Sequence, residues 1–397
     1  MIPYAKQDIT QDDINAVTEV LQSDWLTQGP MVKRFENAVS SYANSKYAVA
    51  VNSATSALHI ACLALGVKSN DWVWTSPNTF VSSANCAIYC GAKVDFVDID
   101  PQTYNISVSQ LEIKLKKAEV ENKLPKVIIP VHFAGQPCEM FKIYELSKKY
   151  NFKIIEDASH AIGSSYSIAD NKNKKILPIK VGSCEHSDIT VFSFHPVKII
   201  TTGEGGMALT NQEDLNERIR MFHSHGVIRD EEKMTHKSDG PWYYQQIDLG
   251  YNYRMNDMQA ALGYQQMKRL DTYVSLRNKI AQRYDEALKN LPLNRPFQLT
   301  KTYSAFHLYV ITLHKNYNRN NHHDIFQELR KRGVGVNLHY IPVHTQPYYK
   351  KMGFNVGDYP VAEDYYDRAI SLPMYPSLPK KDQDFVIESL KECLQQD

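Results

Sequence analysis

Residues 187–211 read SDITVFSFHPVKIITTGEGGMALTN. The β-branched and aromatic run at 189–194 (ITVFSF) predicts one strand, and GMALT at 206–210 predicts another. The linking TTGEGG is too short for a crossover helix, so the second strand is expected to pair antiparallel with the first. Lys198 stands between them, flanked by Val197, Ile199 and Ile200 and followed by a glycine-rich turn. A lysine held between apolar walls loses part of its affinity for a proton and becomes a nucleophile able to form a Schiff base; a solvated loop lysine is the plainer alternative.

Upstream, similar runs recur at 47–52 (YAVAVN), 72–76 (WVWTS), 93–98 (KVDFVD), 126–132 (KVIIPVH) and 152–157 (FKIIED). Apolar recurrence at three and four residues predicts helices between them at about 55–65, 80–90, 107–118, 138–149 and 212–222. This alternation predicts an α/β fold with a mostly parallel seven-stranded sheet. Downstream come a long helical pattern from Asp257 to Asn290 and the stretch LPLNRP at 291–296. A strand at 306–313, a helix at 322–332, a short strand at 334–340 and a helix near 381–395 then complete a smaller α+β domain. The expected division is 1–256, a large unit with an N-terminal arm, and 257–397, a long linking helix and small domain. The polar stretches 171–175 and 229–239 read as exposed loops.

The chain of 397 residues carries 45 basic and 44 acidic side chains, a formal net charge of +1. That balance argues against a nucleic-acid binder or a polybasic membrane-surface protein. No apolar run reaches the roughly 18 residues of a membrane span, and the opening MIPYAKQDITQDD lacks the pattern of a signal peptide. The six cysteines have no CxxC or metal-cluster spacing. Reduced thiols in a cytoplasmic protein are therefore expected. His223/His225 and His322/His323 bring no third ligand from nearby sequence, and no metal is expected.

In open α/β sheets ligands sit beyond the carboxyl ends of the strands. Strand 47–52 runs through Asn52-Ser53-Ala54-Thr55-Ser56 into a helix, which offers either a simple N-cap or an anion site of free N–H groups. Strand 152–157 ends in Glu156-Asp157, followed by Ala158-Ser159-His160. A carboxylate there needs a cation or hydrogen-bond donors; a helix-capping role is the alternative. Phe80, just after strand 72–76, is either core or a plate for a flat ring. His195 lies near Lys198, but the following Pro196 suggests a structural turn. Taken together, an anion cradle, a carboxylate, a lysine and an aromatic plate are what a pyridine ring with an aldehyde and a phosphate requires.

The segment 187–211, with NSATSALH (52–59), EDASHAIGS (156–164) and LGYNYRMNDMQAALGYQQM (249–267), resembles the DegT-type sugar aminotransferases, pyridoxal 5′-phosphate (PLP) enzymes of fold type I. The likeness spans the whole chain. It implies that Lys198 holds the cofactor, Asp157 pairs with its ring nitrogen, His160 lies beside its phenolic oxygen and Phe80 stacks on its ring. Phosphate contacts are implied for Ala54, Thr55, Ser193 and Asn252, the last reaching into the second subunit of a homodimer with shared sites. Contacts to the nucleotide-sugar are implied for Tyr4, Asp24, Trp25, Leu26, Thr27, Ser53, Asn252, Asn337, Leu338, His339 and Tyr340. The opening IPYAKQDI and the tract DWLTQGP (24–30) resemble family members that act in pseudaminic acid biosynthesis on a UDP-linked 4-keto sugar, with L-glutamate as donor. The alternatives are another UDP- or dTDP-linked 3- or 4-keto sugar and a PLP-binding regulator without turnover. One family branch has histidine at the lysine position and acts as a dehydratase; this chain keeps Lys198. No nucleic acid or membrane partner is implied.

Overall fold

Side chains along the central strands alternate between two apolar cores, as a sheet covered on both faces demands. Ala48, Ala50, Trp74, Ile128, Ile154 and Phe192 enter one core. Val49, Val51, Val73, Val127, Ile155 and Val191 enter the other. The computed structural model describes residues 1–168, 178–315 and 319–394.

The sheet has seven strands in the spatial order Tyr47–Val51, Gly206–Thr210, Ile189–Ser193, Lys153–Asp157, Val127–Ile129, Trp72–Thr75 and Lys93–Phe96. Gly206–Thr210 is antiparallel to both its neighbours, as the short TTGEGG link required. The other pairings are parallel. The expected crossover helices are present at Ala54–Ala64, Ser82–Tyr89, Val108–Val120, Met140–Tyr150 and Glu213–Phe222.

Several elements differ from the sequence expectation. Two helices, Gln11–Leu21 and Pro30–Ala43, precede the first strand and were not anticipated. Their signals are local: a capping box between Thr10 and Asp13, and proline in the first turn of the second helix. The long helix expected over 257–290 is two, Asp257–Met267 and Leu270–Leu288. Neither proline nor glycine breaks it. Arg269 leaves helical geometry at φ −109°, ψ 2°, and its guanidinium bonds Asp13 at 2.6 Å and the Tyr273 hydroxyl at 2.8 Å. The break lets the first piece pack on the N-terminal helices while the second buries Ile280, Tyr284 and Leu288 in a separate core.

That separate core belongs to an antiparallel sheet of Leu293–Asn294, Tyr309–Leu313 and Ala369–Leu372, covered by helices Arg319–Lys331 and Lys380–Leu394. The strand expected at 334–340 is not a ladder. Val334 bridges Ile2 and Asn337 bridges Ser371, so the extended segment changes partner after three residues. Through Ile2 the N-terminal residues lie against this second unit. The polar stretch 171–175 and residue 395 of the expected last helix lie outside the described residues. Among the described residues no helix is long and apolar enough to cross a membrane.

Candidate active site

Four strand ends and the segment 339–340 enclose a cavity of about 400 Å³. Lys198 reaches it from the loop after Ile189–Ser193. The Lys198 N–H donates to the His195 carbonyl at 2.9 Å, and the loop is pinned behind it by Thr202 N–H and Thr201 Oγ1, both donating to the Phe194 carbonyl. His195, at the turn, is exposed. Burial pulls the Lys198 ammonium pKa down to about 8, against the opposing pull of the Asp157 carboxylate. A lysine so placed carries a neutral amine in appreciable fraction near neutral pH.

Adjacent residues Glu156 and Asp157 are both buried, on opposite faces of their strand. Glu156 Oε2 lies 2.8 Å from His132 Nε2; the Cys138 N–H donates to His132 Nδ1, which leaves Nε2 as the donor. Ser187 and Thr190 hydroxyls also donate to Glu156. Asp157 faces the cavity with a different set. Ser83 Oγ donates to Oδ2 at 2.6 Å, and Ser159 donates from Oγ and N–H to Oδ1 at 2.6 and 3.1 Å. No ion pair to Asp157 is made among the described residues, so its charge stays available to whatever enters.

At the end of Tyr47–Val51 the two sequence alternatives coexist. Ser53 caps the helix by accepting from the Ser56 N–H at 3.1 Å. The N–H groups of Ala54 and Thr55 make no hydrogen bond among the described residues and open on the cavity. Gly206 presses against this helix start: a Cβ there would lie 2.5 Å from Ala54 N and from Ser53 C. Only glycine lets the strand approach and leave the cradle open. Ser193, paired with Gly206, adds a hydroxyl-bearing side chain.

Aromatic rings form a further part of the lining. Phe80 is 57% exposed, its ring 6.4 Å from that of Tyr340. His160 Nε2 lies 2.9 Å from the Tyr340 hydroxyl, and the His160 ring is 4.4 Å from that of His307. Burial first, then the positive charge of Lys198, holds His160 well below the ordinary histidine value; burial first, then His160 and Lys198, does the same to His307. Both rings are therefore neutral. Tyr4 packs on His339, whose pKa burial lowers to about 3 and whose Nδ1 lies 2.8 Å from Ser371 Oγ.

Lys198, Asp157, Ala54, Thr55, Ser53, Phe80, His160, Ser193, Tyr4, His339 and Tyr340 thus surround one cavity. The remaining expected residues do not line it. Asn337, whose Oδ1 accepts from the Leu338 N–H and whose backbone pairs with Ser371, and Leu338 itself both lie outside the lining. Asn252 and the 24–27 tract (Asp24, Trp25, Leu26, Thr27) are exposed, with Thr27 bridging Asn256 and Asn252 bridging Ser224. Sequence reading missed Ser83, Ser159 and His307. Ser159 was available as the hydroxyl two residues after Asp157. Ser83 is 74 residues away and His307 comes from the second unit, so neither had a local signal.

The cavity fits PLP. Free N–H groups stand behind a glycine that keeps the helix start open, an unpaired buried carboxylate faces the same space, and the lysine of depressed pKa lies between them. Comparisons with known proteins agree. Residues 7–391 match the model of the DegT/DnrJ/EryC1/StrS aminotransferase family. The chain is 39% identical to the UDP-4-amino-4,6-dideoxy-N-acetyl-beta-L-altrosamine transaminase of Campylobacter jejuni (strain 81-176), over 100% of this chain and 98% of that protein. It is 38% identical to the spore coat polysaccharide biosynthesis protein SpsC of Bacillus subtilis, over 99% and 97%. Among solved structures it superposes on Helicobacter pylori PseC, an aminotransferase involved in the biosynthesis of pseudoaminic acid, with a TM-score of 0.87, 31% identity and full coverage of both chains. It superposes equally on the PLP form of the Streptococcus pneumoniae sugar aminotransferase Spr1654, with a TM-score of 0.87, 28% identity and coverage of 100% and 99%. The chain belongs to the DegT/DnrJ/EryC1/StrS aminotransferase family and is a PLP-dependent sugar aminotransferase.

Proposed function

We propose that this enzyme moves the amino group of L-glutamate to C4 of UDP-2-acetamido-2,6-dideoxy-β-L-arabino-hex-4-ulose, giving UDP-4-amino-4,6-dideoxy-N-acetyl-β-L-altrosamine. The observation that carries the reading is whole-chain identity of 38–39% to two relatives named for that product. The likeness to PseC supports the same pathway.

In this reading Lys198 Nζ would hold the cofactor at its aldehyde carbon, and the same Nζ, as a neutral amine, would move a proton off the glutamate Cα and one in the opposite sense when the keto sugar is aminated. PLP, when bound, supplies the electron sink for these proton transfers. Asp157 keeps the ring nitrogen protonated, and its hydroxyl partners orient the carboxylate without neutralising it. Ala54 and Thr55 N–H groups, with Ser193, would hold the phosphate; Phe80 would cover the ring; His160 would lie beside the phenolic oxygen. Tyr4, Ser53, His339 and Tyr340 contact the sugar, with Asn337 and Leu338 behind them. Residues 1–256 act as the cofactor-holding unit and 257–397 as the smaller unit that bears on the sugar.

Asn252, Asp24, Trp25, Leu26 and Thr27 complete the site of a second subunit in a homodimer. Their exposure and their absence from the lining of their own cavity support this. Six free cysteines and a nucleotide-sugar substrate suit a cytoplasmic enzyme.

Purified enzyme given glutamate and the UDP-4-keto sugar should form the altrosamine nucleotide, identified by mass and by proton coupling around C4. No amination of this sugar beside rapid amination of another keto sugar would overturn the substrate. The SpsC relative favours a second reading, a keto sugar destined for a surface polysaccharide, and belongs in the same assay.

A further inference from the structure

A chain of hydrogen bonds in the aromatic wall has a fixed direction. The Ala134 N–H donates to His160 Nδ1 at 3.3 Å. An imidazole that accepts at Nδ1 carries its hydrogen on Nε2 when neutral, so Nε2–H donates to the Tyr340 hydroxyl oxygen at 2.9 Å. Tyr340 then has its own hydrogen to give. It makes no other side-chain hydrogen bond among the described residues, and it lines the cavity.

Nothing in the surroundings reverses this direction. Burial, Lys198 and His339 keep His160 neutral. Burial, then the Asp157 charge, then Tyr4, pushes the Tyr340 hydroxyl far above the ordinary tyrosine value, so it remains a donor and never becomes a base. The phosphate cradle, the carboxylate and the lysine all follow strands of the large sheet, whereas Tyr340 belongs to the segment 339–340, where the His339 ring lies 5.0 Å from its own and 5.5 Å from that of Tyr4.

We propose that Tyr340 is a catalytic residue whose hydroxyl donates to the keto oxygen of the acceptor sugar, with Ala134 and His160 as the positioning residues that aim it. The inference rests on the aminotransferase reading and adds to it a specific donor for one half-reaction. As the amine nitrogen bonds to the carbonyl carbon, the C=O π pair moves onto oxygen, where the Tyr340 O–H meets the growing charge. That oxygen takes up the two hydrogens lost from nitrogen, carried by Lys198 Nζ, and leaves as water. Tyr340 begins and ends protonated.

The test separates the two half-reactions by stopped-flow absorbance on holoenzyme. Tyr340→Phe should slow amination of the keto sugar about 100- to 1,000-fold, the loss that follows removal of one such donor, while the glutamate half-reaction changes by less than about 5-fold. The affinity for PLP and the absorbance of the bound cofactor should be unchanged. Because His160 also lies beside the cofactor, its variants are read as the ratio of sugar to glutamate half-reaction rates: His160→Leu should lower that ratio nearly as far as Tyr340→Phe does, and His160→Gln, which accepts at Oε1 and donates from Nε2, should restore most of it. Equal losses in both half-reactions, or a shifted cofactor spectrum in Tyr340→Phe, would place the hydroxyl on the cofactor and overturn the proposal. No loss in the sugar half-reaction would overturn it as well. A wild type inert to glutamate would instead sink the aminotransferase reading itself.

Discussion

Glu156 and Asp157 are the same chemical group, one residue apart, both buried, and their surroundings divide them by role. Glu156 is closed off by His132, Ser187 and Thr190, so every strong contact it makes is internal. Asp157 is held by two serine hydroxyls and one N–H, which fix its orientation but leave its charge without an ion pair among the described residues. Burial raises the Glu156 pKa, yet His132 and the two hydroxyls outweigh it and hold the carboxyl below the ordinary value. A buried carboxylate with an internal donor set stabilises the fold. One that faces a cavity with only neutral donors is poised for a ligand.

The sharpest way to break this contrast is a pair of isosteric changes. Asp157→Asn should lower kcat by about 1,000-fold or more with little change in melting temperature, since the lost charge serves only the transition state. Glu156→Gln should leave kcat within about 3-fold and cost about 2 kcal/mol of stability, read from denaturant unfolding. If both variants lost activity equally, the division of roles would be wrong.

Next in size is the cradle beside Asp157. Gly206→Ala places a methyl against Ala54 N and Ser53 C, so PLP affinity, measured by equilibrium dialysis, should fall about 100-fold. An unchanged affinity would mean that the phosphate lies elsewhere. Smaller still is the comparison of hydroxyls. Ser83→Ala should cost about 10-fold in kcat/KM by loosening Asp157, whereas Ser187→Ala should lower only stability, by about 1 kcal/mol.

The smallest effect is a pH dependence with a definite sign. A carboxyl whose folded pKa is depressed contributes stability above its unfolded value and loses it as pH falls through the folded one. The stability gap between wild type and Glu156→Gln should therefore be full at neutral pH and shrink as pH falls below about 4.5. A gap that grew in acid would contradict the assignment.

How much of this was visible in the sequence depends on how local each contact is. The segment 187–211 carries its antiparallel turn and its lysine within 25 consecutive residues, and both read directly. The partners of Asp157 split: Ser159 is two residues away, but Ser83 arrives on a helix whose serines resemble any others. Arg269 ends a helix through a contact with Asp13 that no periodicity encodes. The segment 334–340 has strand composition but finds two different partners, Ile2 and Ser371, a choice made by tertiary packing. Asn252 and the 24–27 tract carried a family pattern, but these residues are exposed and do not line the cavity.

The central claim is that the cavity facing Asp157 carries the cofactor on Lys198. Borohydride reduction of the PLP-loaded enzyme, followed by digestion and mass spectrometry, tests it directly. The account predicts phosphopyridoxyl mass on the peptide that contains Lys198 and its loss in Lys198→Ala; label on another lysine, or none from enzyme that has bound PLP, would contradict it.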